Sequence, residues 1–132
     1  MILDSSALVA ILFAEPGYLD LVDCILEADR AGVGAPTLAE TGLVFIGRRG
    51  GRNAEAVEGL IEELSVSVVP FGPPEWAIAV EAFRRFGRGR HAAGLNFGDC
   101  LAYATAKSSR DTLLYLGNDF SKTDIKPALS GR

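Results

Sequence analysis

Apolar residues open the chain and stop at a carboxylate. Residues 1–3 are apolar, Asp4 follows them, and apolar residues at helical spacing resume at Ala7. This pattern predicts a short buried strand and then a helix, with Ser5 or Ser6 as its cap. Ligands of open α/β sheets bind just beyond the carboxyl ends of the strands. Asp4 therefore occupies a position where chemistry is expected.

Beyond this first unit, strand patterns alternate with helical patterns along the chain. Predicted helices place apolar residues three and four positions apart, whereas predicted strands are short apolar or β-branched runs. Strands are predicted at residues 1–3, 32–35, 66–69 and 112–116, and residues 124–127 are a candidate edge strand. The alternation predicts an α/β protein, a three-layer α/β/α sandwich with a mainly parallel sheet of four to five strands. We expect one domain over residues 1–132.

Helical spacing also assigns core faces to two of the predicted helices. The third helix follows Pro36 and runs to about Arg49, and the fifth begins at Pro73. The residues predicted to face the core are Ala39, Gly42, Leu43 and Ile46 in the third helix and Trp76, Ala79, Val80 and Phe83 in the fifth. Glu40 is predicted to lie in the first turn of the third helix, at the rim of its buried stripe.

Composition supports a globular protein and excludes two other classes. The chain has 132 residues, of which 48% are hydrophobic and 23% charged, so it suits one core and is too apolar for disorder. No apolar run reaches the roughly 18 residues that a membrane span needs. Cys24 and Cys100 form no metal-ligand or redox spacing, and we expect both to be reduced and packed in or near the core. The N-terminal apolar run carries Asp4 and lacks a basic region, so we expect a cytoplasmic protein.

Charge is distributed unevenly along the chain. A net charge of −4 argues against a nucleic-acid partner, but the acids concentrate in residues 15–29 and 55–63. Between Glu81 and Asp99 there is no acid at all. The bases in that stretch are Arg84, Arg85, Arg88, Arg90 and His91. Guanidinium groups bind phosphate in a bidentate manner, so these arginines are candidate phosphate contacts, with a solvated helix end and loop as the alternative.

Four acids map to one edge of the predicted sheet. Asp4 ends the first strand, Glu40 follows the second, and Asp119 follows the late strand. The carboxyl ends of parallel strands share one edge, so these three positions fall together. Asp99 opens a helix, where the helix dipole stabilises an ionised carboxylate by roughly 0.3–1 kcal/mol. Each acid alone also fits an ordinary role as a cap, rim or turn residue, so the inference depends on their convergence.

Converging carboxylates need either a cation or raised pKa values. Two carboxylates about 4 Å apart repel each other by about 4 kcal/mol at an effective dielectric constant near 20. No Lys or Arg other than Lys122 lies within three residues of these acids, and the single histidine excludes a His-based metal site. An all-oxygen ligand set selects Mg²⁺ or Mn²⁺ over zinc. Such a cation activates water and offsets phosphodiester charge, so the predicted chemistry is metal-assisted phosphodiester hydrolysis.

Three motifs carry a resemblance to a known family. They are MILDSSAL at residues 1–8, LNFGDCLAYA at residues 95–104 and LLYLGNDF at residues 113–120, with LAE at residues 38–40 as a weaker match. In this order the motifs resemble those of a PIN-domain nuclease, specifically the VapC-type toxin of bacterial type II toxin–antitoxin pairs. The similarity covers essentially the whole chain.

The resemblance implies a parallel-sheet α/β/α sandwich and a Mg²⁺-dependent (or Mn²⁺-dependent) endoribonuclease that cuts single-stranded RNA. Asp4 and Asp99 are then the principal metal ligands, and Glu40 and Asp119 complete the acidic pocket as catalytic residues. Ser6 and Asn96 are implied supporting polar groups. The arginines between Glu81 and Asp99 become candidate RNA contacts.

The resemblance also implies protein partners. A homodimer is expected, together with a cognate antitoxin whose segment wraps the toxin and blocks its site. Residues 18–26 and 45–64 are candidate contact surfaces, although their apolar residues fit a core role equally well. Asp124 matches a recurrent family position, for which a structural turn is the simplest assignment.

Several other functions remain alternatives at this point. A catalytically idle PIN-like binding module would keep the fold without the reaction, and a metal-dependent DNA nuclease would share the same metal chemistry. A receiver-type phosphoacceptor domain needs an acid pair after the first strand and a lysine after a late one. A haloacid-dehalogenase-like phosphatase needs Asp-x-Asp after the first strand. Asp4-Ser5-Ser6 supplies only one acid, so the last two fit poorly.

Overall fold

A computed structural model describes residues 1–52 and 54–129. Six helices and four strands alternate within these ranges. Their bounds are β1 Ile2–Leu3, α1 Ser5–Leu12, α2 Tyr18–Glu27, β2 Ala31–Gly34, α3 Ala35–Arg49, α4 Glu55–Glu63, β3 Val66–Val69, α5 Pro73–Phe86, α6 Phe97–Ser108 and β4 Leu113–Leu114. None of these helices combines the length and apolar character that a bilayer crossing requires.

The four strands form one parallel sheet in the order β3-β2-β1-β4. β1 lies in the centre, where Ile2 pairs with Gly32 of β2 and with Leu113 of β4. All the carboxyl ends therefore point to one edge, as predicted. The candidate edge strand at residues 124–127 contributes only an isolated parallel bridge between Pro127 and Leu113.

Helices cover both faces of this sheet, which confirms the predicted α/β/α sandwich. Alternate residues of β1 face opposite sides, as a strand requires. Ile2 belongs to the core under α5 and α6, whereas Leu3 belongs to the core under α1 and α2. Phe120 and Leu8 are among the largest fully buried side chains of these two cores.

The predicted core faces of α3 and α5 are partly wrong. Leu43 of α3 is 72% exposed and Ala39 is also exposed. The buried residues of α3 are Thr37 and Thr41, and the Thr41 hydroxyl donates to the Thr37 carbonyl at 2.9 Å. Thr41 is buried at little cost because its hydroxyl bonds to its own helix, and hydropathy alone misses this face. The buried hydroxyl of Thr37 has no partner among the described residues.

α5 has two stripes of apolar side chains, one that faces the core and one that faces solvent. Ala79 is buried as predicted, but Trp76 and Val80 are 60% and 62% exposed, and Phe83 is 43% exposed. The buried stripe is Ala79, Ala82 and Phe86. Two alanines let α5 approach α6 closely, so the smaller stripe packs inward and the bulkier one faces outward. The prediction that Trp76 packs in the core is therefore wrong.

Candidate active site

Asp4 follows β1 at the carboxyl edge of the sheet and is 3% exposed. Its backbone N–H donates to the Leu114 carbonyl at 2.9 Å, which ties it to β4. Asp4 itself caps α1, where Ser5 or Ser6 was predicted to do so. Its Oδ2 accepts the Ser6 N–H at 3.1 Å and the Ser6 hydroxyl at 2.6 Å. The Ser6 hydroxyl in turn accepts the Leu116 N–H at 3.0 Å, so Ser6 links the two strand ends.

The second carboxylate oxygen of Asp4 has no hydrogen-bond partner among the residues that the structure describes. Oδ1 is fully buried and accepts no hydrogen bond from the described residues. Burial raises the pKa of Asp4 to about 6, although the hydrogen bonds from Ser6 work in the opposite direction, and the charge of Glu40 raises it further. A buried carboxylate with one unbonded oxygen is costly unless a positive partner is present.

Asp99 lies in the first turn of α6 and is fixed by a reciprocal cap. Its backbone N–H donates to Asn96 Oδ1 at 2.8 Å, and its Oδ2 accepts the Asn96 N–H at 3.0 Å. Burial raises the pKa of Asp99 to about 6; the Asn96 N–H lowers it, and the charges of Asp4 and Asp119 raise it. Asn96 thus lies where it can hold Asp99 in one orientation.

Glu40 reaches the same edge from α3. Because α3 starts at Ala35 directly after β2, Glu40 lies in the second helical turn and not in the predicted first turn. Oε1 of Glu40 is buried and has no hydrogen-bond partner among the described residues. Burial raises the pKa of Glu40, the Ser5 side chain lowers it, and the charge of Asp99 raises it again.

Gly98 is the reason that Glu40 can approach α6. A Cβ atom added at Gly98 would lie only 2.9 Å from Cδ of Glu40, closer than real Cβ contacts allow. Any side chain at this position would push the carboxylate away from Asp99. Sequence reasoning missed Gly98 and the influence of Ser5 on Glu40. Their adjacency to Asp99 and Asp4 was the only available signal.

Asp119 completes the group from the bend after β4. It is exposed, and its charge still contributes to the raised pKa of Asp99. Charge effects link the four predicted acids at this edge of the sheet, because Glu40 acts on Asp4, Asp99 acts on Glu40, and Asp4 and Asp119 act on Asp99. We call Asp4, Glu40, Asp99 and Asp119 the acidic site.

The four predicted arginines differ in their surroundings. Arg84 pairs with Glu81 on the outside of α5, and Arg85 lies 3.6 Å from Asp124. The Arg90 side chain donates to the Arg84 carbonyl at 3.4 Å. Arg88 is the one whose charge lowers the pKa of Asp99. These four side chains therefore do not form a single basic surface beside the acidic site.

The acidic site fits a cation that keeps part of its water shell better than a cation that only protein groups surround. Unpartnered oxygens of Asp4 and Glu40 supply two hard donors beside Asp99. Among the described residues, no three His, Cys, Asp or Glu side chains already form a metal-ligating group. Mg²⁺ typically keeps several waters and binds through one or two carboxylates, so this donor set fits it.

Comparison of the sequence with models of known protein families gives a match. The PIN domain family model matches residues 1–126. The chain belongs to the PIN domain family.

Among individual relatives, ribonuclease VapC36 of Mycobacterium tuberculosis is 42% identical over 127 residues, which are 96% of this chain and 91% of the relative. Ribonuclease VapC28 of the same organism is 41% identical over 100% of both chains. Within the family, the chain therefore lies among the VapC-type members.

Solved structures show the same fold at low sequence identity. The crystal structure of Mycobacterium tuberculosis VapC20, a toxin that cleaves the sarcin–ricin loop, matches with a TM-score of 0.75 at 18% identity. The match covers 94% of this chain and 95% of that one. VapBC2 from Rickettsia felis, bound to a DNA fragment from its promoter, matches with a TM-score of 0.69 at 16% identity, over 96% and 94% of the chains.

Proposed function

We propose that this protein is a Mg²⁺- or Mn²⁺-dependent endoribonuclease that hydrolyses phosphodiester bonds of single-stranded RNA. The observation that carries the proposal is the pair of buried, unbonded oxygens on Asp4 and Glu40 beside Asp99. Structural carboxylates in folded proteins normally have all their buried oxygens satisfied. The relatives named as ribonucleases support an RNA substrate.

A divalent cation held here would supply a water of lowered pKa and would neutralise charge that develops on the phosphate. Asp4 and Asp99 are the proposed principal ligands, because each keeps one oxygen in a helix cap and leaves the other for the cation. Glu40 and Asp119 complete the acidic site from α3 and from the bend after β4. The helix caps fix the ligand directions before the cation arrives, which lowers the cost of binding.

Ser6 and Asn96 are the proposed supporting residues. Ser6 hydrogen-bonds Asp4 and the backbone of Leu116, so it maintains the spacing between the ends of β1 and β4. Asn96 fixes the cap that orients Asp99. Loss of such outer partners typically costs 10–100-fold in metal affinity or activity.

The proposal is tested with purified protein and a substrate panel. We expect cleavage of single-stranded RNA in the presence of Mg²⁺ or Mn²⁺, and we expect EDTA to stop it. Asp4→Asn should remove the activity, whereas Asp23→Asn, at an exposed position on α2, should retain it. Circular dichroism and thermal unfolding establish that both variants are folded.

The outcomes also separate the alternatives. Cleavage of single-stranded DNA in preference to RNA would support a DNA nuclease. RNA binding without cleavage under any divalent cation, in protein that is folded, would support an idle binding module. Equal cleavage by the parent protein and by Asp4→Asn would refute the assigned site.

We also propose that the protein acts as the toxin of a toxin–antitoxin pair in the cytoplasm. The structural neighbours include a toxin–antitoxin complex from Klebsiella pneumoniae, with a TM-score of 0.66 at 17% identity. Free Cys24 and Cys100 suit a reducing compartment. Induced expression in a bacterium should arrest growth, and the same amount of Asp4→Asn should not.

A groove between α3 and α4 supports an antitoxin contact on this side of the molecule. It has a volume of about 410 Å³ and is lined mainly by Leu38, Gly42, Val57, Ile61 and Val68. Leu43, beside it on α3, is largely exposed. The predicted contact residues 45–64 include Asn53, which lies outside the described residues. On α2, Leu19 and Leu26 are exposed, whereas Leu21 and Ile25 belong to the core.

The proposed homodimer uses the outer face of α5. Trp76, Val80 and Phe83 form an exposed apolar stripe there, and such stripes mark interaction surfaces. α5 has an acid, Glu75, in its first turn and bases in its last turn, so two antiparallel copies around a two-fold axis would place unlike charges opposite each other. Sedimentation equilibrium should give a dimer for the parent protein and a monomer for Val80→Glu, with Leu43→Glu as the matched control.

A further inference from the structure

One edge of the sheet is covered by the described chain and the other is not. Beyond β4, Leu113 donates its N–H to the Lys126 carbonyl at 3.0 Å, and its own carbonyl accepts the Ala128 N–H at 2.9 Å. β3 forms the opposite edge, next to β2. Within residues 1–52 and 54–129, no strand or isolated bridge pairs with the outer side of β3.

The backbone direction of β3 follows from the hydrogen bonds of its neighbour. The Gly32 N–H donates to the Met1 carbonyl at 2.9 Å, so the backbone groups of Gly32 point to β1 and those of Val33 point to β3. Val33 is paired with Val68, and in a parallel ladder it bonds to the residues on either side of that partner. The backbone N–H and C=O of Val68 therefore point away from β2, to the open side of the sheet.

β3 has none of the sequence features that usually prevent an edge strand from pairing with another chain. Its sequence is VSVV, which contains three β-branched valines and neither a charge nor a proline. The Val68 side chain is 48% exposed beside its outward-facing backbone groups. An uncharged, β-branched edge of this kind is a template for an additional strand.

Spaces on both faces of β3 suit the side chains of such a strand. On the side of α3 and α4, Val68 lines the groove of about 410 Å³ described above. On the other face, Ser67 and Val69 line a cavity of about 340 Å³, together with the polar side chains of Arg30 and Asp111. Because successive side chains of a strand point to opposite faces, an added strand can direct apolar side chains to the groove and polar side chains to the cavity.

The charge of α4 distinguishes between the possible occupants of this edge. α4 contacts β3, and its charged residues are all acids, namely Glu55, Glu58, Glu62 and Glu63. Glu58 lines the groove, and the described residues provide no ion pair for it. Two antiparallel β3 strands would be related by a two-fold axis perpendicular to the sheet, which brings both α4 helices to the same face. Their like charges would repel each other, whereas a basic side chain on another protein is attracted.

We propose that the outer edge of β3 binds an extended segment of the antitoxin, which adds to the sheet as a further parallel or antiparallel strand. The segment carries apolar side chains at every second position, toward Val68 and the groove, and a basic side chain opposite Glu58. This inference rests on the proposed function and deepens it, because it names how the antitoxin binds and the chemistry of its segment. Backbone hydrogen bonds supply affinity, whereas the groove and Glu58 supply specificity.

The probes are short capped peptides in which valine and serine alternate, with one lysine in place of a valine at each position in turn. We expect binding to the isotope-labelled protein in NMR titrations, and exchange of the Val68 amide hydrogen that is slower on the order of tenfold at saturation. N-methyl groups at alternate residues block one of the two edges of a peptide. Of the two possible N-methylated series, one should bind and the other should not, because only one edge of the peptide faces β3.

Two substitutions in the protein test the backbone and the charge separately. Val68→Pro removes the outward N–H and leaves the bonds between β3 and β2 in place, because proline is tolerated in an edge strand whose N–H faces outward. This variant should lose peptide binding, whereas Val68→Thr, which keeps the N–H and the β-branched shape, should retain it. Glu58→Lys leaves β3 unchanged. It should weaken binding of the lysine peptides and strengthen binding of the same peptides with glutamate in place of lysine.

Each outcome decides between the alternatives. Protection of the Val68 amide that is lost in Val68→Pro and that follows the charge at Glu58 supports strand addition. If no peptide protects this amide while the parent protein cleaves RNA and arrests growth, strand addition is refuted and the proposed function stands. If the parent protein neither cleaves RNA nor arrests growth, the proposed function fails, and the antitoxin as occupant fails with it. If Val68→Pro changes the sedimentation of the protein without peptide, the edge joins two copies of the chain, and the antitoxin is refuted as its occupant.

Discussion

Near each end of α6 lies a carboxylate, and the two differ in whether the protein supplies a positive partner. At the amino end, Asp99 lies near Asp4 and Asp119, and the described residues provide no ion pair for it. At the carboxyl end, Asp124 accepts the Tyr103 hydroxyl at 2.6 Å and Lys107 Nζ at 3.0 Å. One helix therefore joins a site of unpaired charge to a site of paired charge.

The pKa values record this difference. Burial raises the pKa of Asp99 to about 6, and neighbouring acids add to the shift. Burial also acts on Asp124, but the Tyr103 hydroxyl and Lys107 outweigh it and lower the pKa of that carboxyl. Tyr103 and Lys107 stabilise the charge of Asp124, whereas the described residues provide no ion pair for Asp99, whose charge the proposed cation would balance. The comparison teaches that a missing partner is more informative about function than the presence of an acid.

The largest expected effect comes from removing the charge of one acid at each end of α6, Asp99 at the amino end and Asp124 at the carboxyl end. Asp99→Asn should abolish RNA cleavage, by more than the roughly 10–100-fold that loss of a supporting group costs. Asp124→Asn should retain the parent kcat, because its carboxylate bonds only to the protein. The measurement is the initial rate of cleavage of a single-stranded RNA with Mg²⁺.

Protein levels and melting temperatures serve as controls for folding. Asparagine keeps the size and the cap-forming oxygen of aspartate, so α6 should remain intact in Asp99→Asn. An active Asp99→Asn protein would overturn the site, and an inactive but folded Asp124→Asn protein would overturn the contrast between the two ends.

A second test measures how Asp4 affects the free energy of unfolding of the protein without metal. The folded state raises the pKa of Asp4 from 3.8 to about 6, so its charged form destabilises the fold. This penalty is absent below pH 4, grows between pH 4 and 6, and is constant above, on the order of 3 kcal/mol. Asp4→Asn should therefore be more stable than the parent in EDTA at pH 7, by an amount that vanishes as the pH falls to 4.

Urea unfolding at a series of pH values measures this difference. Mg²⁺ should then stabilise the parent protein, by about 2.7 kcal/mol at 100 times its Kd, and should not stabilise Asp4→Asn. A parent protein that is more stable than Asp4→Asn at pH 7 in EDTA would contradict the idea that Asp4 lacks a partner.

The smallest expected effect is at Asp124 itself. Removing its charge weakens the contacts with Tyr103 and Lys107, and the group is partly exposed, so we expect a loss of about 1 kcal/mol in the free energy of unfolding. Chemical unfolding at pH 7 measures this value. The outcome that contradicts the pairing is a gain in stability, as for Asp4→Asn.

Much of the acidic site could be predicted from the sequence because its residues sit where chain patterns change. Asp4 ends an apolar run, so the pattern locates it at the end of a strand. Asp99 opens a helix after a long loop, and periodicity alone does not fix its position. Parallel topology then brings the strand ends together. Asp119 could be predicted at the same edge because it follows the late strand, which corresponds to β4.

The outward faces of α3 and α5 could not be predicted in this way. α5 carries two apolar stripes, and hydropathy gives no reason to prefer Ala79, Ala82 and Phe86 over Trp76, Val80 and Phe83. The choice depends on how closely α6 approaches. Likewise, the contact between Gly98 and Glu40 joins segments far apart in the chain, and only the assembled fold reveals it.

The last strand of the sheet pairs with the first, and this has a consequence during synthesis. A nascent chain that has not yet exposed residues 113–119 to solvent has neither β4 nor Asp119, and the end of β1 lacks its neighbour. The acidic site of the proposed ribonuclease would therefore assemble only after residues 113–119 have emerged from the ribosome.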